Sequence, residues 1–424
     1  MSEISFKRTE LQSGIRIVTE RVPGVRSASV ALWVDTGSRD ESEGQLGLTH
    51  FLEHLLFKGT SRMSAREIAE AFDHMGADVN AATGKEQTYF YSRVMEEYLN
   101  EAVDLLLDMT RNSVLDPHEI DSERNVVLEE INMHMDSPDE YVHDYLMKAM
   151  WDGHRLGHMV LGDAGVIKNV TRDSLAEFHD SRYVASRLVA GAAGSIEHSA
   201  FVEMIERGTA GMTAGVQPDR GQCMASLGGK VISRKDTEQA HIALGALGLK
   251  RNHPDRFALA IMDNILGGSM SSRLFQKIRE ERGLVYSIYS YNSMFMGMGM
   301  AGIYAGTHPS KAKVVLELIQ GELKAIKDSG FKPGELKRAC NHIRGSLYIS
   351  NEDSASRMSR IAKAEISRGE QLSIDEIASR VEAVTLEDLE RVFAGTWGSK
   401  GMSLAVVGPF DEDDLEIASR LEEL

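Results

Sequence analysis

Hydrophobic and polar positions follow two different periods along this chain, and each change of period marks a predicted element. Residues 5–35 alternate with a period of two, which is typical of short half-buried strands. A second pair of strands is predicted between residues 77 and 94, joined around residues 84 and 85. Apolar positions spaced by three and four residues then predict three helices, over residues 96–112, 117–135 and 138–150.

The second half of the chain repeats the order of the first. The strand predicted at 240–247 corresponds to that at 29–34, and Pro333 and Gly408 correspond to Pro117 and Gly194. The offset is roughly 210 residues, which indicates an internal duplication. The predicted fold class is α+β, with two duplicated domains of similar topology, each an antiparallel sheet with segregated helices. The predicted domains are residues 1–211 and 230–424, joined by a linker at 212–229 that is rich in Gly, Thr, Gln and Pro.

Composition reduces the number of partner classes and cellular locations to consider. The net charge of −17 argues against nucleic acid as the main partner, because a phosphate-binding surface needs concentrated Lys and Arg. An acidic surface suits a cationic substrate, although it can also serve only solubility. No apolar run reaches the length needed to span a bilayer, so no membrane partner is expected. Cys223 and Cys340 are isolated, and the start lacks a secretory pattern, so a cytoplasmic location is predicted.

The strongest chemical signal lies at residues 48–60. On a helix, His50 and His54 lie on one face, where two imidazoles can share a metal ion. Glu53 lies beside them, in the His-x-x-Glu-His order of the inverzincins. A buried histidine pair bonded to a glutamate is the alternative interpretation. At an offset of 210, the three positions are occupied by Ala260, Asp263 and Asn264, so only one half keeps the ligand set.

Two histidines leave a zinc site short of one protein ligand. Candidates lie in the helix predicted at 117–135, where Glu123 and Glu130 are seven residues apart and share a face. Glu129 points about 100° away from them. Spacing alone leaves these three carboxylates open as the third ligand.

Residues 50–54, followed by Glu-Arg-x-Val-Val-x-Glu-Glu at 123–130, resemble the pitrilysin-type zinc peptidases. Within that family the resemblance is nearest to the β subunit of mitochondrial processing peptidase and its bacterial homologues. It covers nearly the whole chain, duplication included. It implies that His50, His54 and Glu130 bind one Zn²⁺ per chain, that Glu53 is the general base, and that Glu123 orients a ligand. The predicted function is therefore a zinc endopeptidase acting on peptides or extended segments.

The resemblance also implies substrate-binding residues. Arg279 and Tyr286 stand where the family places an Arg and a Tyr that close over the substrate backbone, although packing in a sheet is the ordinary role of such a tyrosine. Asn80, Ala81 and Ala82 resemble the family's edge strand, to which an extended peptide adds, or else form an ordinary hairpin strand.

Glu140 and Asp144 match acidic residues that receive an arginine close to the scissile bond in the processing peptidase. A preference for a basic peptide is therefore predicted, and a solvated acidic helix face is the alternative. His134 lies one turn after Glu130, at a position the family leaves unused. A second metal site at His154 and His158 is disfavoured, because Gly153 and Gly157 indicate a loop.

The chain carries half of the four repeats typical of the family, so a homodimer or a heterodimer with a homologous subunit is predicted, together forming a peptidase chamber. The rival functions are a non-catalytic partner subunit or peptide-binding module, and a scaffold protein of a respiratory complex. Intact His50, Glu53, His54 and Glu130 argue against both, since such subunits usually lose these residues.

Overall fold

The structure is a computed structural model that describes residues 5–220, 225, 227–367, 369–399 and 401–411. Cys223 and part of the predicted linker lie outside these residues. The strands are β1 Ser5–Glu10, β2 Arg16–Arg21, β3 Ser27–Val34, β4 Asp78–Thr83, β5 Thr88–Met95, β6 Leu188–Gly194, β7 Lys230–Arg234, β8 Ala240–Gly248, β9 Val285–Met294, β10 Gly299–Thr307 and β11 Ser403–Gly408.

The α-helices are α1 Leu48–Leu55, α2 Ala65–His74, α3 Leu99–Asn112, α4 Pro117–Asp136, α5 Pro138–Met150, α6 Ala164–Asn169, α7 Arg172–Arg182, α8 His198–Gly208, α9 Arg256–Leu266, α10 Ala312–Ser329, α11 Pro333–Ser350, α12 Ser354–Ile366, α13 Ile374–Glu382 and α14 Leu386–Gly395. None of the described helices is both long and apolar enough to cross a membrane.

The chain forms two compact units. The first comprises residues 1–132, 159–220 and 349–371, as far as they are described. Its six-stranded sheet has the order β1-β2-β6-β3-β5-β4, with β4 at one edge. All neighbours are antiparallel except β2 and β6, which pair in parallel. One face of the sheet packs on a core that includes α1, α3 and α7, and the other is covered by α12 through Met358, Ile361 and Ala362.

The second unit comprises residues 133–158, 221–348 and 372–424, as far as they are described. Its five-stranded sheet has the order β7-β11-β8-β10-β9, and β11 and β7 form its parallel pair. Helices α9, α10 and α14 contribute to the core on one face. Helix α5 covers the other face through residues that include Val142, Leu146 and Met150.

The predicted fold class is confirmed, with two corrections of detail. Each sheet contains one parallel pair. In the first sheet β6 lies between β2 and β3 and runs parallel to β2, and in the second sheet β11 lies between β7 and β8 and runs parallel to β7. The two compact units are also discontinuous in sequence, whereas the predicted domains, residues 1–211 and 230–424, are continuous. Helix α5 belongs to the second unit and α12 to the first, because the apolar face of each packs on that unit's sheet.

Candidate metal centre

Helix α1 is held by an apolar face that leaves His50, Glu53 and His54 only partly buried. Leu48, Phe51, Leu52 and Leu55 are buried in the core of the first unit. The backbone enters the helix at Gly47 with a φ of +93°, and a side chain there would lie 2.6 Å from the Leu161 carbonyl oxygen. Only glycine meets both conditions without strain.

The first turn of α1 is also held by a buried carboxylate. The backbone N–H groups of Gly47 and Thr49 donate to the two oxygens of Glu41, at 2.8 and 2.7 Å. Burial raises the pKa of Glu41 from 4.5 to about 7, against the lowering effect of the bonds from Thr49 and Gly47. Glu41 therefore satisfies backbone donors that the helix itself leaves without partners.

Three predicted ligands converge on the polar face of α1. The distance between His50 Nε2 and His54 Nε2 is 3.2 Å. Glu130 Oε2, from α4, lies 3.4 Å from His54 Nε2 and 3.8 Å from His50 Nε2. Within the described ranges, these residues form the one group of three or more His, Cys, Asp or Glu side chains whose ligand atoms lie within 4.8 Å of one another.

This donor set fits Zn²⁺. Ligand atoms at about 2.0–2.1 Å from one tetrahedral ion are about 3.3 Å apart, close to the separations found here. Burial, with the nearby His54, lowers the pKa of His50 to about 4, so its imidazole is neutral and able to ligate at neutral pH. Two imidazoles and one carboxylate are a usual protein set for a catalytic zinc, which keeps its fourth position for water or substrate.

The orientation of His54 is set by Glu123, which is also on α4. Glu123 Oε1 accepts a hydrogen bond from His54 Nδ1 at 2.9 Å, leaving Nε2 to face Glu130 and His50. Lys58 Nζ lies 2.6 Å from Glu123 Oε2. Burial would raise the pKa of Glu123, but the bonds from Lys58 and His54 outweigh it and lower that pKa. The second ligand, His50, differs, because its Nδ1 is buried without a hydrogen-bond partner among the described residues.

Glu53 is placed beside the ligands and bonded to the edge strand. The Thr83 hydroxyl, at the end of β4, donates a hydrogen bond to Glu53 Oε2. Burial raises the pKa of Glu53, assisted by the nearby charge of Glu130 and opposed by Thr83 and His54. A carboxylate with a raised pKa is a better proton acceptor near neutral pH. Asn80, Ala81 and Ala82 lie on the same β4, whose outer edge carries no strand among the described residues.

The other predicted residues belong to the second unit. Tyr286 lies on β9 with 79% of its surface exposed, and the Arg279 guanidinium lies over the Phe275 ring at 4.6 Å. Glu140 and Asp144 both contact His134, at 3.4 Å (Glu140 Oε2 to Nδ1) and 2.6 Å (Asp144 Oδ2 to Nε2). The bond to Asp144 is the main cause of the raised pKa of His134.

A cavity of about 840 Å³ opens within the second unit. Five carboxylates and one lysine line it, together with three tyrosines and two histidines. The lining includes Asp139, Glu140, Glu238, Tyr286, Tyr289, Tyr304, His143 and His241. The cavity therefore combines negative charge with aromatic walls, which suits a cationic group that carries apolar or planar parts.

Lys58, Thr83 and Glu41 take part in this centre although the sequence analysis gave them no role. Lys58 follows His54 by four residues, a spacing that places them on the same side of a helical turn. Thr83 had no such signal, because it is thirty residues from Glu53 and meets it only through packing of β4 beside α1. Glu41 lies outside the usual N-cap pattern of Ser, Thr, Asp or Asn next to the helix.

Replacing Glu41 with Gln should change how stability depends on pH. The folded pKa of Glu41, about 7, lies above its usual 4.5. The folded state therefore binds the proton more tightly, and the stability from this group is present below about pH 4.5 and lost as the pH rises through 7. A pKa difference of this size corresponds to about 3 kcal/mol. In urea titrations with EDTA from pH 4.5 to 7.5, Glu41→Gln should lack this loss, and the control Glu43→Gln should retain it. Parallel pH curves for wild type and Glu41→Gln would contradict the assignment.

Comparisons with known proteins match both halves of the chain. A family model described as Insulinase (Peptidase family M16) matches residues 16–164, and one described as Peptidase M16 inactive domain matches residues 169–343. An uncharacterized zinc protease of Streptomyces coelicolor is 40% identical over 428 residues, covering 99% of this chain and 92% of that protein. The uncharacterized zinc protease YmxG of Bacillus subtilis is 41% identical over 409 residues, covering 95% and 98%.

Solved structures share the fold. A protease from Helicobacter pylori superposes with a TM-score of 0.90 at 21% identity, covering 96% of this chain and 100% of that one. A structure described as a peptidase M16 inactive domain from Pseudomonas fluorescens gives a TM-score of 0.87 at 19% identity, covering 96% and 99%. The two-unit fold and the His-x-x-Glu-His motif are features of a family of zinc metallopeptidases. The chain belongs to peptidase family M16.

Proposed function

We propose that this protein is a zinc-dependent endopeptidase that hydrolyses peptides or extended segments. The observation that carries the proposal is the convergence of His50, His54 and Glu130 within 3.8 Å, with Glu53 beside them and bonded to an edge strand. The relatives named zinc proteases support it. The test is cleavage of a peptide by the zinc-loaded protein and by the protein stripped of metal.

His50, His54 and Glu130 would hold the ion. A zinc ion in such a site lowers the pKa of a bound water and polarises a carbonyl group. Glu53 accepts the proton of the attacking water and later delivers it to the leaving amine. The Thr83 hydroxyl keeps one Glu53 oxygen in place, so that the other is available for the proton.

The substrate would bind as an added strand on β4. No strand among the described residues pairs with its outer edge, so an extended peptide can add there. The peptide would compete with the Asn80 side chain, whose Oδ1 accepts from the Ala81 N–H at 2.8 Å. Asn80, Ala81 and Ala82 present small side chains along this edge. Because Thr83 ends the same strand and contacts Glu53, a peptide on β4 would run beside the general base. Arg279 and Tyr286 are proposed to bind the substrate on the strength of the resemblance, and the exposure of Tyr286 leaves its hydroxyl available.

A preference for a basic residue near the scissile bond is part of the proposal. Glu140 and Asp144 hold the imidazole of His134, so a substrate guanidinium would have to replace that imidazole as their partner. The guanidinium and the imidazole both offer N–H donors to these two carboxylates. The surplus of carboxylates in the cavity that includes Glu140 favours the same charge.

Replacing Glu140 with Ala and Asp144 with Asn should selectively weaken cleavage of arginine peptides. Charge-assisted hydrogen bonds contribute about 1.5–3 kcal/mol, so kcat/KM should fall about 10- to 100-fold. The measurement compares a peptide containing arginine with the same peptide containing the neutral, isosteric citrulline. A control variant with the exposed Glu203 and Glu206 of α8 replaced in the same way should behave like wild type. Equal losses on both peptides would refute the proposed preference.

A non-catalytic partner subunit or peptide-binding module is the rival proposal. It predicts peptide binding without cleavage in the presence of zinc. Pairing with a second copy or a homologous subunit, and a cytoplasmic location, stay predictions of the sequence.

A further inference from the structure

The contact between Lys58 and Glu123 extends the metal centre beyond the residues already assigned. Lys58 Nζ lies 2.6 Å from Glu123 Oε2, and Glu123 Oε1 lies 2.9 Å from His54 Nδ1. The side chain of Glu123 is only 7% exposed, whereas that of Lys58 is 31% exposed. An ammonium group at the surface thus reaches inward to a buried carboxylate.

Each oxygen of Glu123 has its own partner. With Oε2 held by Lys58, the carboxylate cannot rotate without breaking a charge-assisted bond, so Oε1 stays directed at His54 Nδ1. The bond at Nδ1 fixes the proton there and leaves the Nε2 lone pair to face Glu130 and His50. Without Lys58, the carboxylate would have a free oxygen and more than one rotamer.

The backbone after α1 places Lys58 for this contact. The helix ends at Leu55, and the N–H groups of Phe57 and Lys58 donate to the carbonyls of His54 and Leu55, at 3.2 and 3.0 Å. Phe57 packs its ring 6.2 Å from that of Phe90. The stem of Lys58 therefore starts from a hydrogen-bonded turn next to a packed aromatic residue.

The duplicated half lacks this arrangement. At the offset of 210 residues, Lys58 corresponds to Gly268 and His54 to Asn264. In the second unit, Asn264 Nδ2 contacts His342 Nδ1 at 3.1 Å, so an amide faces an imidazole where the first unit has imidazole, carboxylate and ammonium. The contact of Lys58 thus accompanies the ligand set in the one half that keeps it.

We propose that Lys58 is a positioning residue for the zinc site, which acts through Glu123 to hold His54 in its metal-binding orientation. The alternative is that Lys58 only stabilises the C-terminal end of α1, where a positive charge is favourable in any helix. The inference deepens the proposed function and rests on the same ligand set.

The test measures zinc affinity of the full-length protein by competition with a chromophoric chelator. Lys58→Met should weaken zinc binding about 10-fold. This is the lower end of the 10- to 100-fold loss of affinity expected when an outer partner of a ligand is removed. Lys58→Arg should restore most of the affinity, since it keeps a cationic donor. The control Lys324→Met also removes a lysine from an ion pair, with Asp328 in the second unit, and should bind zinc like wild type.

Two further measurements separate positioning from mere stabilisation. In a Glu123→Gln background, Lys58→Met should cause no additional loss of zinc affinity, because its route to His54 is already removed. The visible spectrum of the Co²⁺-substituted protein should change in Lys58→Met and return in Lys58→Arg. A lysine that only stabilised the fold would lower the melting temperature of the metal-free protein without changing this spectrum.

Zinc affinity of Lys58→Met within twofold of wild type, or a fully additive loss in the Glu123→Gln background, would overturn the inference. A wild-type protein that binds zinc with this dependence on Lys58 but cleaves no peptide would support the inference and overturn the proposed function. The two can therefore fail separately.

Discussion

Replacing Glu53 with Gln should lower kcat/KM for peptide cleavage by about 10²- to 10⁴-fold, the range expected when a general base is removed. Glutamine has the shape of glutamate and keeps an oxygen to accept the Thr83 hydrogen bond, so the position of the side chain should be preserved. It cannot accept a proton from water. The loss should therefore appear in the chemical step, with zinc content unchanged.

The control for Glu53→Gln is Glu129→Gln, the same chemical change at an exposed position next to a ligand. Both proteins should be assayed with one equivalent of zinc, with metal content measured in the same samples. A Glu53→Gln protein that keeps half of the wild-type rate would remove Glu53 from the mechanism. If Glu53→Gln loses its zinc, Glu53 contributes to metal binding instead.

Replacing Glu130 with Gln should weaken zinc binding by more than the 10- to 100-fold typical of losing an outer partner, because it removes one of three direct ligands. Glu130 Oε2 lies 3.4 and 3.8 Å from the two histidine nitrogens, and a neutral amide there is a poor zinc ligand. The measurement is the zinc dissociation constant by competition with a chelator, and activity should fall with occupancy.

Glu129→Gln again provides the matched comparison, because spacing alone left Glu123, Glu129 and Glu130 open as ligands. Glu129 is exposed, and its replacement should leave zinc affinity as in wild type. Glu123→Gln should give an intermediate loss, since it removes the partner of His54 Nδ1. If Glu129→Gln releases zinc and Glu130→Gln retains it, the proposed ligand set is wrong.

Most elements of the fold could be predicted because their periodicity is local. The helices predicted at 96–112, 117–135 and 138–150 correspond to α3, α4 and α5. The sheet on which α5 packs could not be predicted in this way. An apolar face shows that a helix packs, but not on which sheet, and α5 packs on the sheet of the second unit.

The candidate site was predictable to the extent that its residues lie on one helix. His50, Glu53 and His54 follow from spacing on α1. Glu123 and Glu130 share a face of α4, and spacing could not show that they approach opposite nitrogens of one imidazole, His54. That distinction depends on how α4 packs against α1.

The most direct test of the central claim is a peptide-cleavage assay, read by mass spectrometry, on one preparation of the protein in three states. These states are wild type stripped of metal, the same protein restored with one equivalent of Zn²⁺, and Glu53→Gln with the same zinc. The substrate is an arginine-containing peptide. Cleavage by the zinc-restored wild type alone is the predicted result. No cleavage by the zinc-restored wild type, or equal cleavage in all three states, would contradict it.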